Sequence, residues 1–170
     1  MRLFNPKRYF LSLFCVAAAL TMLTGCVGTL FSYRGAVVAQ PNNRFALKEG
    51  DQEAVWKTNE LAVTYRYQKS QASLKISGTV ELLEGFATGF TSAKYLDVTI
   101  LFLDKQGTVI ENAILYSAGD HYAFTSVPMA FEKTISVPDG ADSFSLGYDG
   151  VLVDATSNEA VAYTIGYFPR

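Results

Sequence analysis

The side chains most often recruited for nucleophilic, redox and metal chemistry are scarce in this chain. Its 170 residues hold two cysteines, Cys15 and Cys26, and one histidine, His121. A Ser–His–Asp set would have to draw on Asp120 and on Ser117 or Ser126. Neighbours on a strand point to opposite faces, so Asp120 is badly placed to orient His121. No G-x-S-x-G or S-x-x-K element supplies an activated serine, and a lone loop histidine reads as a solvated or capping group. Zinc is poorly served, because one histidine and no free thiol leave only carboxylates. Calcium suits the late aspartates Asp139, Asp142, Asp149 and Asp154 better, since it takes carboxylate and carbonyl oxygens. They lack EF-hand spacing, and Asp is a common turn residue, so turn formation is the expectation. Among sixteen acids, none is marked in the sequence as half of a hydrolytic carboxylate pair. The expectation is a protein with no catalytic residue, no metal and no cofactor.

Aromatic residues are the other group able to carry function. They crowd the second half of the chain, from Tyr116 to Phe168. Tyrosine is enriched at interfaces, but aromatics also favour strands. Only the twin units Gly85-Phe86 and Gly89-Phe90 put aromatics in a glycine-rich loop. Phe86 and Phe90 are therefore the candidate contact residues, set against the plainer reading that both rings fold inward.

The elements that must position these residues read as strands. "LAVTYRY" puts Leu61, Val63, Tyr65 and Tyr67 on one face. "SLKISGTVELLE" aligns Leu74, Ile76, Val80 and Leu82. "YLDVTILFLD" aligns Leu96, Val98, Ile100 and Phe102, while its other face carries Leu101 and Leu103 beside Asp97 and Thr99. That strand is expected to be central, with its second face partly covered. "DKQG", Asp104 to Gly107, has the residues of a turn and predicts a hairpin into "TVIENAILY". "VPDGADS" precedes "FSLGYDGVLVD", in which Gly150 is read as a bulge. The chain closes with "AVAYTIGYF". The best helical candidate, "EGDQEAVWKTNELA", has a weak 3.6-residue period. The pattern predicts an all-β chain, a single antiparallel immunoglobulin-like sandwich of about seven or eight strands with Greek-key connections.

Ahead of this domain the chain opens with Arg2, Lys7 and Arg8. An uncharged run of fifteen residues follows, Tyr9 to Leu23. A membrane-spanning helix needs about 20 apolar residues. A charged start, a short apolar middle and a small-residue end form a secretory signal. That end, Leu23-Thr24-Gly25-Cys26, resembles the lipobox of bacterial lipoproteins. The resemblance implies a diacylglyceryl group on the Cys26 sulfur, cleavage after Gly25, and acylation of the new amine. Val27 stands where an aspartate would retain such a protein in the inner membrane, so the implied location is the outer membrane. The implied division is a signal peptide over 1–25, a lipidated N-terminus and tether over 26–43, and the sandwich over 44–170. The tether is apolar enough that part of it is expected to pack on the domain.

From Cys26 onward the chain carries 11 basic and 16 acidic residues, a net charge of −5. No basic patch is present to meet phosphates, which excludes nucleic acid as a partner. With Cys15 cleaved off and Cys26 lipidated, no disulfide is available, so stability must come from a core. A chain of 145 residues can bury roughly two-thirds of its unfolded surface.

"YLDVTILFLDKQGTVIENAILY" and "VPDGADSFSLGYDG" also resemble the FxLYD-type immunoglobulin-like modules of bacterial envelope proteins. The shared feature is a hydrophobic strand ending in an apolar–Asp pair, here Leu103-Asp104, with Gly107 in the turn. The element reads Phe102-Leu103-Asp104, without the tyrosine. That resemblance implies no catalytic residues. The functional expectation is a non-catalytic binding or structural module, membrane-attached through Cys26 and in contact with an envelope protein. The alternative is a small-molecule or glycan binder using loops at one end of the sandwich.

Overall fold

The computed structural model describes residues 33–124, 129–154 and 161–168, with backbone alone for 120–122. Cys26 and residues 1–25, read from the sequence as a signal segment, lie outside the described residues. Nine strands are present among those described: β1 (Phe45–Ala46), β2 (Gly50–Lys57), β3 (Leu61–Ser70), β4 (Ser73–Leu82), β5 (Ser92–Leu103), β6 (Val109–Ala123), β7 (Met129–Ser136), β8 (Ser143–Asp154) and β9 (Val161–Tyr167). One short helix, α1 (Glu84–Gly89), separates β4 from β5. The sequence pattern had too few strands for two reasons. β1 is only two residues long, and β2 lies inside the stretch that mimicked a weak helix.

The strands form two antiparallel sheets. One runs β2-β3-β4-β7; the other runs β1-β8-β5-β6, with β9 also paired to β8. The connectivity follows from which strands must cross. α1 carries the chain from β4 into the second sheet, β7 returns beside β4, and β8 then lies beside β5. With β4, β5, β7, β8 and β9 in the places of B, C, E, F and G, these are the pairings of the immunoglobulin sandwich. The protein is an all-β sandwich.

Alternation places the core. Leu61, Val63, Tyr65 and Tyr67 of β3 share one core with Leu96, Val98, Ile100 and Phe102 of β5 and with Phe144, Leu146 and Tyr148 of β8, which lies beside β5 in its sheet. All are buried. The same parity governs β4, where Leu74, Ile76 and Val80 are buried. Gly78 shares that face because nothing larger fits: a Cβ there would stand 2.2 Å from the Thr64 carbonyl oxygen.

The second face of β5 is covered too. Leu101 and Leu103 are fully buried with Val38 and Val109, and Tyr33 packs on this smaller cluster. The cover comes from residues 33–38, which run against the start of β6. Gly35 N–H donates to Val109 O at 2.8 Å and Val38 N–H to Gly107 O at 2.9 Å. Arg44 fastens the strap, its Nε donating to Val38 O at 2.8 Å. Its guanidinium lies where a Cβ on Gly107 would be, 2.2 Å from Cζ. Gly107 also has φ +86°, a conformation that glycine adopts without strain. Asp104 Oδ1 accepts the N–H groups of Gln106 and Thr108 at 2.9 and 2.8 Å. The turn residues read from the sequence thus close the β5–β6 hairpin and seat the strap together.

Two local expectations are corrected. Gly150 is not at a bulge: β8 keeps its register there, and the shift against β5 falls between Ala93 and Tyr95. Glycine is required instead because a Cβ would sit 2.9 Å from Tyr95 O. The stretch read as a glycine-rich loop is helical over residues 84–89, which includes Phe86, and Phe90 follows directly as its C-cap.

Candidate functional site

Phe86 lies in the six-residue helix, and Phe90 is the residue that caps its end, in extended conformation, with its N–H donating to Phe86 O at 3.1 Å. The two rings stack with centroids 6.3 Å apart and planes at 16°. Both meet Tyr163 of β9, at 5.7 and 5.8 Å. Phe86 and Phe90 are half-buried against the main core, whereas Tyr163 is 46% exposed and Val161 beside it 55%. The inward-folding reading of the phenylalanines is therefore half right. Their inner sides pack, and their outer sides join Tyr163 in a small aromatic surface.

A second feature escapes sequence reading altogether. At the side of the sandwich where the edges of β2 and β9 face each other lies an open cleft of about 410 Å³. Its walls come from the turn before β1 (Gln40, Asn43), from the β2–β3 turn (Thr58 to Glu60) and from Tyr167. Behind the cleft wall, the fully buried Tyr148 meets two of its lining residues, donating to Glu60 Oε2 at 2.5 Å and lying 3.0 Å from Thr58 Oγ1. Burial, then the bond to Glu60, pushes the Tyr148 phenol above its ordinary value. Asn43 Nδ2 donates to Tyr167 OH and to Gln40 Oε1. Trp56 packs edge-on against both Tyr148 and Tyr167, at 5.9 and 5.4 Å. Tyr148 and Glu60 are separated by 88 residues, and no spacing signal joins them. Only the packing of the two sheets does. A larger trough, about 490 Å³, crosses the outer face of β2, β3 and β4. It is lined by charges of both signs, including a Lys75–Glu132 pair at 2.9 Å, and has the character of a solvated sheet face.

The third feature is a carboxylate pair. Asp97 of β5 and Asp149 of β8 are directly opposite in the ladder. Their face of the sheet is the one that the strap covers, and Tyr33 and Tyr95 lie close enough to feel their charges. Asp97 Oδ1 is buried without a hydrogen-bond partner. Burial, then the charge of Asp97, raises Asp149 above the ordinary carboxylate range, against a lowering hydrogen bond from Tyr95. Burial also lifts the Tyr33 phenol to about 12. Two like charges placed opposite each other repel, and protonation of Asp149 relieves that repulsion.

The sign of the pH effect follows. Folded Asp149 binds its proton more tightly than unfolded Asp149. It therefore costs stability above its raised pKa, and the cost vanishes as pH falls below the unfolded value of about 3.9. Asp149→Asn keeps an acceptor for Tyr95 and removes the repulsion. It is expected to stabilise the domain at pH 7 by about 0.2–1 kcal/mol, the scale of a cross-strand pair partly screened by solvent. Urea unfolding at pH 7 and near pH 4 checks this. The gain should shrink at the lower pH; an equal gain at both would remove the pair as its cause.

The other sequence candidates separate. Asp139 and Asp142 sit in the β7–β8 turn, Asp149 lies mid-strand and Asp154 ends β8, so extended backbone spreads the four apart. Among the described residues, no three or more His, Cys, Asp or Glu side chains gather as a metal site would need. His121 belongs to β6, not to a loop. Ser126 and Cys26 lie outside the described residues. Comparison with known proteins found no matching family, no matching curated protein and no matching solved structure.

Proposed function

We propose that this chain is a lipid-anchored bacterial envelope lipoprotein whose sandwich works by contact and without turnover. The Leu23–Cys26 pattern supports the anchor, and the missing inner-membrane aspartate at Val27 supports the outer membrane. The observation that carries the contact reading is the cluster of Phe86, Phe90 and Tyr163, three rings within 6.3 Å of one another and partly open to solvent. Aromatic rings supply much of the energy of protein interfaces from few positions. The expected partner is another envelope protein. The resemblance of the β5–β6 hairpin to FxLYD-type modules is in keeping with such a role.

The test is co-purification from solubilised membranes. The Phe86→Ala/Phe90→Ala form is expected to lose whatever protein follows the wild type. Because those rings also pack on the core, Tyr163→Ser is the companion variant, removing a ring that is already half exposed. His121→Ala should keep the partner. Retention of the partner by both ring variants would end the contact reading. Loss of the cellular role in a folded, abundant His121→Ala protein would replace it with an enzymatic one.

A further inference from the structure

The cleft between the β2 and β9 edges has no part in that contact reading, and its chemistry is of another kind. Its polar groups are of mixed type. Gln40, Asn43 and Asn59 bring amides, each both donor and acceptor. Glu60 brings an acceptor, Lys57 a donor, and Tyr167 a hydroxyl. Lys57 and Glu60 balance in charge, so neither a simple anion nor a simple cation is favoured. The group that satisfies such a set is one that donates and accepts from neighbouring atoms, which is what adjacent hydroxyls do. The floor is also arranged. The buried Tyr148 hydroxyl, behind the lining, holds the Glu60 carboxylate from one side. Asn43 is likewise oriented by its bonds to Tyr167 and Gln40. Side chains held this way lose little freedom on binding. The volume, about 410 Å³, falls in the range of small-molecule sites.

We infer that this cleft binds a neutral saccharide unit, with the Glu60 carboxylate accepting from one sugar hydroxyl and the amides of Asn43 and Asn59 bonding its neighbours. The unit can come as a free sugar or as part of a polymer, and both present the same hydroxyls.

Trp56 is the only tryptophan in the chain and stands in the cleft wall, so a ligand seated there lies next to the chain's one tryptophan emitter. The full-length protein is titrated with glucose, N-acetylglucosamine and cellobiose up to about 50 mM, a range that covers millimolar dissociation constants. In parallel it is passed over chitin and cellulose beads. A saturable change in emission with at least one soluble sugar is expected for a free-sugar site. Retention on beads with little response to monosaccharides is expected for a polymer site. Glu60→Gln preserves an acceptor for Tyr148, and Asn59→Ala alters an exposed turn residue, so both should fold. Each should weaken binding by about tenfold or more, roughly the loss of one hydrogen bond in a desolvated site. The Phe86→Ala/Phe90→Ala form should bind sugar as the wild type does, which keeps this test separate from that of the partner surface. The inference is overturned if no sugar changes the emission and neither bead retains the protein. It is equally overturned if the response survives both cleft substitutions, or if glycine, as a zwitterionic probe, produces the change and the sugars do not.

Discussion

Phe102→Ala is expected to cost about 3–5 kcal/mol of unfolding free energy. Phe102 is 1% exposed and lies in the main core. On β5 it pairs with Phe144 of β8, whose own ring contacts Phe45, Tyr65 and Tyr67. Truncation removes a ring from the layer between the sheets, and flanking strands fixed on both sides cannot collapse far into the space. The loss combines the transfer of the ring with the cavity left behind. For a domain whose total stability is on the order of 5–15 kcal/mol, that is a large share. Urea denaturation should show a lowered midpoint with an unchanged slope, because the surface exposed on unfolding is nearly the same. A change below about 0.5 kcal/mol, the usual size for a surface substitution, would contradict the position of the ring.

Cys26→Ser is expected to abolish lipid attachment and the cleavage that follows from it. The size of the effect comes from the arithmetic of anchoring. Each buried methylene contributes about 0.8 kcal/mol, and a single chain binds only reversibly, so two or three are needed for a lasting hold. A serine hydroxyl cannot take the thioether, and all of that hold disappears at once. Metabolic labelling with a fatty acid should mark the wild type and leave the variant blank, and the variant should run larger by the retained signal segment. Label of equal strength on both proteins would remove Cys26 as the anchor.

The fold was legible where a strand has one wet face and one dry face. In β3, Leu61 to Tyr67 alternate cleanly because Thr64 and Arg66 meet solvent. In β5, the double-sided apolar run announced a covered strand, and Val38 provides the cover. Legibility failed where length or distance hid the cause. β1 makes only two pairs, Phe45 with Phe144 and Ala46 with Ser143, too few for a period. β2 carries Asp51, Glu53 and Lys57 on an edge strand, so its polar face dominates its composition. Gly150 was recognised as a special position for the wrong reason, since the close backbone belongs to Tyr95 and not to its own strand. Phe86 and Phe90 were found because glycine neighbours mark them locally. The cleft and the Asp97–Asp149 pair were not found, because Tyr148 with Glu60, and Asp97 with Asp149, meet only through the β5–β8 register and the packing of the sheets.

The placing of β8 has a consequence in time. It is an inner strand of its sheet, with β5 on one side and β1 and β9 on the other, yet it follows β1, β5 and β6 in the chain. β2, β3 and β4 can pair as they emerge, each with its neighbour in the chain. β5 finds β6 on one edge, but its other edge waits until residues 143–154 have been made, some forty residues after its own end at Leu103. During that interval a strand that is apolar on both faces presents an unpaired ladder, the kind of edge that recruits foreign strands. Pairings between distant segments also form slowly, on the millisecond-to-second scale typical of sandwiches. A newborn chain of this protein is therefore most vulnerable to aggregation between the emergence of β5 and that of β8, and its survival depends on how quickly residues 143–154 arrive or on what shields β5 until they do.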